Sequence, residues 1–345
     1  MKYHFACEKG WMSSPCGAAW FMGEYHVFFQ HYPYAPRWGQ MHWGHVTTKD
    51  LVSWKEQETA LTPELDYENG DGCLPGSVIV KDGRMYLFYT ASGAEKTVAM
   101  AYTDDGKTFV KYENNPIIKA EDGCEIRDPY VWEYKGKYLM LVGGGRHHVG
   151  RISLYESDNL TDWKMVDTIL EDGRFGGSIE TPELFKLEDK WVIMFQGTKS
   201  VPHRIVFGTG EFDGTKLYME DDFEAIEIGP DLYSPMSFED QRGRRIVIGW
   251  MYRRSQVGMF SSPRELSLDL KDKLVMLPID ELLVKTVKES SFVCYGNGRL
   301  MVSHGRQVLW ERAYAYEPEY LVLEDVGTVE VFAQGGRENI TVYVC

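Results

Sequence analysis

Asp128 stands directly before Pro129, and Glu180 opens the triplet Glu180-Thr181-Pro182. Three more prolines, Pro15, Pro75 and Pro235, recur with the same phase behind Ser13-Ser14, Leu74 and Tyr233-Ser234. If the five segments superpose, the residues beside these prolines converge on one axis. Two carboxylates and Arg127 then meet at one mouth, a set able to donate a proton and to stabilise developing positive charge. Ser14 supplies only a neutral hydroxyl with no base beside it in sequence, which makes a weak nucleophile.

The elements that would position these residues repeat along the chain. Apolar alternation broken by a Gly or charged turn predicts β-hairpins over Ala19 to Gln30, Val78 to Thr90, Val131 to Gly143, Leu184 to Gln196 and Met236 to Trp250. A second landmark follows four of the hairpins in Asp50-Leu51-Val52-Ser53-Trp54, Asp105-Gly106-Lys107-Thr108-Phe109, Asn159-Leu160-Thr161-Asp162-Trp163 and Asp213-Gly214-Thr215-Lys216-Leu217. Each reads as a turn into an outer strand. Hairpin, third strand and outer strand make a four-stranded blade, so the fold expected is all-β, a five-bladed β-propeller. Proline suits the first residue of a strand, where its missing N–H costs no ladder bond. The propeller is expected over 1–284 and a small, truncated β-sandwich-like segment over 285–345.

Composition narrows the partners. A formal net charge of −15 excludes the clustered basic surface that nucleic acid demands. No apolar run is long enough to span a membrane, and Met1 is followed by Lys2, His4, Glu8 and Lys9 rather than an apolar leader, so a cytoplasmic location is expected. The 6 cysteines have no paired spacing, which suits a reducing compartment. Cys7, Cys16, Cys73 and Cys124 could meet at a metal only through the fold, and neither metal nor other cofactor is expected. The 21 Tyr and 10 Trp provide flat surfaces that stack on sugars or fill a core.

At these same residues the chain resembles glycoside hydrolase family 32, which includes invertases, levanases and sucrose-6-phosphate hydrolases. The stretches that carry the likeness are Trp11-Met12-Ser13-Ser14-Pro15-Cys16-Gly17, Phe28-Phe29-Gln30, Trp38-Gly39-Gln40-Met41-His42-Trp43-Gly44-His45, Gly72-Cys73-Leu74-Pro75-Gly76-Ser77, Arg127-Asp128-Pro129, Glu180-Thr181-Pro182 and Gly243 to Met251. The resemblance implies a retaining pair. Glu180 would be the general acid/base, Asp128 would hold sugar hydroxyls and stabilise the transition state, and Ser14 would stand where the nucleophilic Asp belongs. Ser13 and Cys16 replace the two asparagines of that motif. Gln30, Trp38, Trp43, Arg127 and Tyr233 would line the substrate side, although Trp43 could equally plug the core.

The expectation is a glycoside hydrolase acting on fructosides such as sucrose, a fructo-oligosaccharide or a phosphorylated derivative, its activity reduced or altered by Ser14. The alternatives are a non-catalytic carbohydrate-binding propeller and an inverting transferase or phosphorylase that uses an external nucleophile with Glu180 as acid. A small saccharide is the expected partner, with phosphate a second ligand to test. Apolar alternation in the truncated segment could be covered by a second copy, giving a homodimer. Arg146, His147 and His148 read as a solvated turn or, at a funnel edge, as an anion contact.

Overall fold

The computed structural model describes residues 3–199, 205–252 and 257–344. Five antiparallel meanders of four strands follow one another. The first blade comprises Trp11–Phe21, Glu24–Tyr32, His42–Thr48 and Lys55–Glu56; the second, Gly72–Lys81, Arg84–Ser92, Lys96–Thr103 and Val110–Lys111. The third runs through Cys124–Tyr134, Lys137–Arg146, Val149–Ser157 and Lys164–Asp172, and the fourth through Ile179–Leu187, Lys190–Gly197, Ile205–Phe212 and Leu217–Met219. The fifth uses Leu232–Glu239, Arg245–Met251, Arg264–Leu268 and Leu274–Pro278. The leading strands touch in sequence, and the fifth touches the first, so they form a closed ring around the axis. Closure of this kind removes the exposed sheet edge at the centre.

The second landmark has one physical basis. Asp50, Asp105, Asn159 and Asp213 each accept two backbone N–H groups from the residues that follow. Such Asx turns reverse the chain with the following residue, Leu51, Gly106, Leu160 or Gly214, at positive φ. In the fifth blade Asp269 stands at the matching turn and accepts the N–H groups of Lys271 and Lys273, two and four residues on, a wider version of the same reversal.

The prolines depart from the expectation. None begins its strand; each lies several residues inside, at a break in register between the leading strand and its partner. These are β-bulges, which re-aim side chains and leave backbone groups unpaired, and there the missing proline N–H costs no ladder bond. Asp128, Thr181 and Ser234, directly before their prolines, have φ of 52°, 46° and 42°. That region is uncommon for residues other than Gly and is disfavoured before proline.

Neighbouring blades use the freed groups. The Asp128 N–H donates to Thr90 Oγ1 at 2.7 Å, the Thr181 N–H to Asp128 Oδ2 at 2.9 Å and the Ser234 N–H to Gln196 Oε1 at 2.8 Å. One layer deeper, the Val131 N–H donates to Ser77 Oγ and the Ser237 N–H to Glu183 Oε1. Between the third and fourth blades the backbones come closer still, joined by a bridge between Gly144 and Ile179. Side chains at Gly143 and Gly145 would collide with the carbonyl oxygens of Ile179 and Gly177, so that run must be glycine.

Two three-stranded sheets follow, Val293–Gly296, Arg299–His304 and Gln307–Ala313, then Tyr320–Asp325, Thr328–Ala333 and Glu338–Tyr343. Leu300, Val302, Val322, Val331 and Ile340 fill the space between them. A buried charged network ties this unit to the propeller. Glu330 accepts from His4, from the Ser262 N–H and hydroxyl and from Arg264, while Arg264 also reaches Glu227 at 3.0 Å. The only α-helical turn among the described residues is Asp280–Leu283.

Candidate active site in the axial funnel

The bulges aim the leading strands into a funnel of about 380 Å³ at one end of the axis. Ser13, Ser14, Gln30, Trp38, Leu74, Arg127, Asp128, Glu180, Thr181, Tyr233 and Ser234 all line it. Arg127 organises the charges. Its Nη1 donates to Glu180 Oε1, and its Nε lies 3.4 Å from Asp128 Oδ2. Both carboxylates therefore sit against one guanidinium, which resolves the repulsion that two desolvated anions would feel alone.

Asp128 is buried, and burial pushes its carboxyl above the usual range, with Arg127 opposing and Glu180 adding to the rise. Burial works against the Arg127 charge, but Asp128, Glu180 and Glu125 hold its pKa above the ordinary value. Oδ2 of Asp128 takes the Thr181 N–H, whereas Oδ1 is buried with no partner among the described residues. Glu180 is held from its other side by Gln196 Nε2, 2.9 Å from Oε2.

Ser14 lies in the same wall, buried in the first leading strand. Beside it the Ser13 hydroxyl donates to Gln30 Oε1 at 2.9 Å, and Gln30 Nε2 is a buried donor with no partner among the described residues. An aromatic wall rises above. Trp250 and Tyr252 lie 4.6 Å apart by ring centroid, Tyr233 is 5.8 Å from Trp250, and the half-exposed Trp38 meets Trp11 edge to face at the rim. Such a wall offers stacking surface to a sugar ring.

Trp43 lies elsewhere. It is fully buried among Phe28, Leu61 and Tyr89, and its Nε1 donates to the Leu74 carbonyl at 3.0 Å, so it supports the funnel wall from behind without facing a ligand. Cys16 is likewise buried in that core, and burial pushes its thiol well above the ordinary value. Arg146, His147 and His148 occupy an exposed turn outside the funnel lining. Gln196, Trp250, Tyr252, Lys96 and Asp71 are funnel residues that the sequence reading did not assign. A signal existed for two of them: Gln30, Thr90, Gly143, Gln196 and Trp250 are the last residues of the five hairpins, and four of these five side chains support the funnel or line it.

The axial channel opens at its other end into a second cavity of about 360 Å³, walled by Trp20, Tyr130, Trp132, Glu183, Ser237 and Arg245. There the single buried carboxylate, Glu183, is occupied by the Ser237 N–H and hydroxyl. The paired carboxylates belong to the funnel, which is therefore the chemical end.

Residues 4–278 match the model for the glycosyl hydrolases family 32 N-terminal domain. The chain is 33% identical over 315 residues to the sucrose-6-phosphate hydrolase of Bacillus subtilis, an alignment covering 81% of this chain and 65% of that protein. It is 32% identical over 336 residues to the levanase of the same organism, covering 84% and 48%. It thus spans just under two thirds of the first relative and about half of the second. Among solved structures, an alanine variant of the Bombyx mori GH32 beta-fructofuranosidase in complex with sucrose superposes with a TM-score of 0.86 at 23% identity, covering 99% of this chain and 88% of that one. The sucrose-6-phosphate hydrolase from Lactobacillus gasseri also gives 0.86, at 21% identity with 100% and 88% covered. These likenesses show the same propeller fold, and the match over most of the chain shows that this protein belongs to glycoside hydrolase family 32.

Proposed function

We propose that the funnel binds β-fructofuranosides and that Glu180 and Asp128 act on them, with turnover held far below that of relatives because position 14 is serine. The observation that carries this reading is the placement of Asp128 and Glu180 on the single cation Arg127, with Ser14 in the same wall. Glu180, oriented by Arg127 and Gln196, protonates the leaving oxygen; Asp128 Oδ1 accepts ring hydroxyls; the aromatic wall receives the sugar face. The hydroxyl of Ser14 supplies neither the negative charge nor the attacking atom of a carboxylate. Loss of one member of such a set costs on the order of 10⁴-fold in rate.

In the same reading, 1–284 is the substrate-binding propeller and 285–345 an appended two-sheet unit. The relatives named for sucrose 6-phosphate support including phosphorylated sugars among the ligands, with Lys96 in the funnel wall to meet a phosphate. We place the protein in the cytoplasm, and no helix among the described residues is long and apolar enough to cross a membrane. The exposed outer strand Gln307–Ala313 is the edge through which a homodimer would form.

Calorimetry with sucrose, sucrose 6-phosphate, inulin and levan fragments, paired with assays of released fructose, tests the reading. Saccharide binding with slow release that falls further in Glu180→Gln supports it. Binding with release unaffected by Glu180→Gln would make the funnel a non-catalytic carbohydrate site, and no binding at all would sink the fructoside assignment.

A further inference from the structure

All five leading strands also border the second cavity, the one of about 360 Å³ at the far end of the axis. Its polar groups are arranged around Ser237. The Ser237 N–H and hydroxyl donate to Glu183, and Arg245 Nε donates to the Ser237 oxygen at 2.8 Å. Arg245 Nη2 donates to the Tyr130 hydroxyl at 2.5 Å, and the guanidinium lies over the Phe185 ring, 4.1 Å from its centroid. The planar fork is thereby fixed, and its third nitrogen, Nη1, has no partner among the described residues. Trp132 lines the same cavity, and its Nε1 is a buried donor likewise without a partner among the described residues. Two donors left open beside one cavity call for an acceptor.

The charges around that cavity point to a neutral acceptor. Glu133 in its wall is matched by Lys81 at 3.2 Å, which leaves Arg245 against Glu183 and Glu239. Burial lifts the Glu183 pKa to about 7, so near neutral pH the remaining charges sum to between zero and minus one. An anion gains nothing there. A cation has no lone pair to offer Arg245 Nη1 or Trp132 Nε1, and it would meet the guanidinium charge. A hydroxyl answers both requirements, because it accepts from the open donors while donating to a carboxylate. Trp20, Tyr130 and Trp132 add aromatic surface, the last two 5.7 Å apart by ring centroid. Aromatic rings beside a fixed arginine and a carboxylate suit the mixed apolar and polar faces of a sugar, and the volume is that of a small-molecule pocket.

We propose that the far cavity is a second saccharide site, separate from the funnel, which takes a neutral mono- or disaccharide through hydroxyl contacts to Arg245 and Trp132. The site binds and does not cleave: Glu183, the one buried carboxylate in its wall, is already held by two donors from Ser237. The ring would then carry sugar at both ends of its axis, one end for chemistry and the other for retention. Nothing in the far cavity depends on how the funnel is read, so either site can exist without the other.

The test uses the intact protein, labelled with nitrogen-15, and follows the Trp132 indole N–H by nuclear magnetic resonance, its signal identified as the one missing from Trp132→Phe. D-glucose, D-fructose and sucrose are titrated in, with sodium acetate as the anion probe and putrescine hydrochloride as the cation probe at equal ionic strength. At least one sugar is expected to move the Trp132 signal saturably, and neither ion to do so. Arg245→Met should weaken that response by about 10-fold or more. Ala19→Trp, which fills the cavity from a half-buried position in its wall, should abolish it. Three results would overturn the proposal: no movement with any of the sugars, movement with acetate or putrescine instead, or an undiminished response in Ala19→Trp. If Arg245→Met does not fold, the parent titration and Ala19→Trp still decide. If the parent shows no Trp132 response while calorimetry records saccharide binding, the second site falls and the funnel reading stands.

Discussion

Gln196 Nε2 donates to Glu180 Oε2 over 2.9 Å while Gln196 Oε1 accepts the Ser234 N–H at 2.8 Å. The backbone N–H can meet only the carbonyl end of the amide, so the orientation of Gln196 is set by the fifth blade and passed to the carboxylate of the fourth. Gln196 is thus a positioning residue. Gln196→Leu should lower kcat for an unactivated fructoside by about 10-fold, on the order of 1.4 kcal/mol, with a smaller change in KM. The same variant strands the Ser234 N–H and should lose about 1–3 kcal/mol in urea unfolding. An unchanged kcat beside the lost stability would confine Gln196 to a structural role.

Ser14→Asp is expected to raise fructoside hydrolysis, and Ser13→Asn with Ser14→Asp to raise it further. The second change restores an amide beside the attacking group, and a hydrogen bond to a charged centre contributes roughly 1.5–3 kcal/mol. Adding Cys16→Asn should not help. That side chain is buried among Phe21, Phe28 and Trp43, where an unpaired amide costs about 1–3 kcal/mol. Released fructose and melting temperature, measured on the three variants together, separate these outcomes.

Stability should fall on the alkaline side through His4. Burial opposes its charge, but the carboxylates of Asp325 and Glu330, 2.9 and 2.5 Å from its ring nitrogens, raise its pKa from 6.5 to about 9. A raised histidine stabilises fully below its unfolded value and loses that contribution as pH climbs through its folded one. The urea midpoint should therefore decline between pH 6.5 and about 9, and His4→Gln should flatten that decline while lowering the acid side. Glu330 acts at the other extreme. Although burial opposes ionisation, Arg264 and His4 hold its pKa at about 2, so its stabilisation is present above 4.5 and lost as pH falls toward 2.

Glu183 has the opposite sign for a carboxylate. Burial raises its pKa from 4.5 to about 7, against the pull of Arg245 and Ser237. The folded state then binds more protons than the unfolded chain between those values, so stability declines from pH 4.5 to about 7. Glu183→Gln keeps an acceptor for the Ser237 N–H and should remove this slope, which unfolding at pH 5 and pH 7.5 would reveal. A slope equal to that of the parent would refute the assignment.

Much of the ring was readable because its hairpins and prolines repeat, and Asp128, Glu180 and Ser14 could be placed by phase alone. The position of each proline within its strand was not, since a bulge is defined by register against a partner strand. Trp43 was ambiguous because a strand inside a blade is covered on both faces, where alternation does not tell ligand from core. Gln196 was visible as a hairpin end, but its role depends on Ser234 in another blade. The link from His4 to Asp325 and Glu330 joins opposite ends of the chain and has no local signature.

The bulges hold the blades together through main-chain N–H groups at Asp128, Thr181 and Ser234. In each case the donor belongs to the backbone of the axial residue, whatever side chain it carries toward the ligand. A change of side chain at such a position leaves its own N–H in place as the tie between blades. Where the acceptor is itself a funnel side chain, as Asp128 Oδ2 is for the Thr181 N–H, one carboxylate serves both the ring and the site, and replacing it would loosen the neighbouring blade as well as remove the charge.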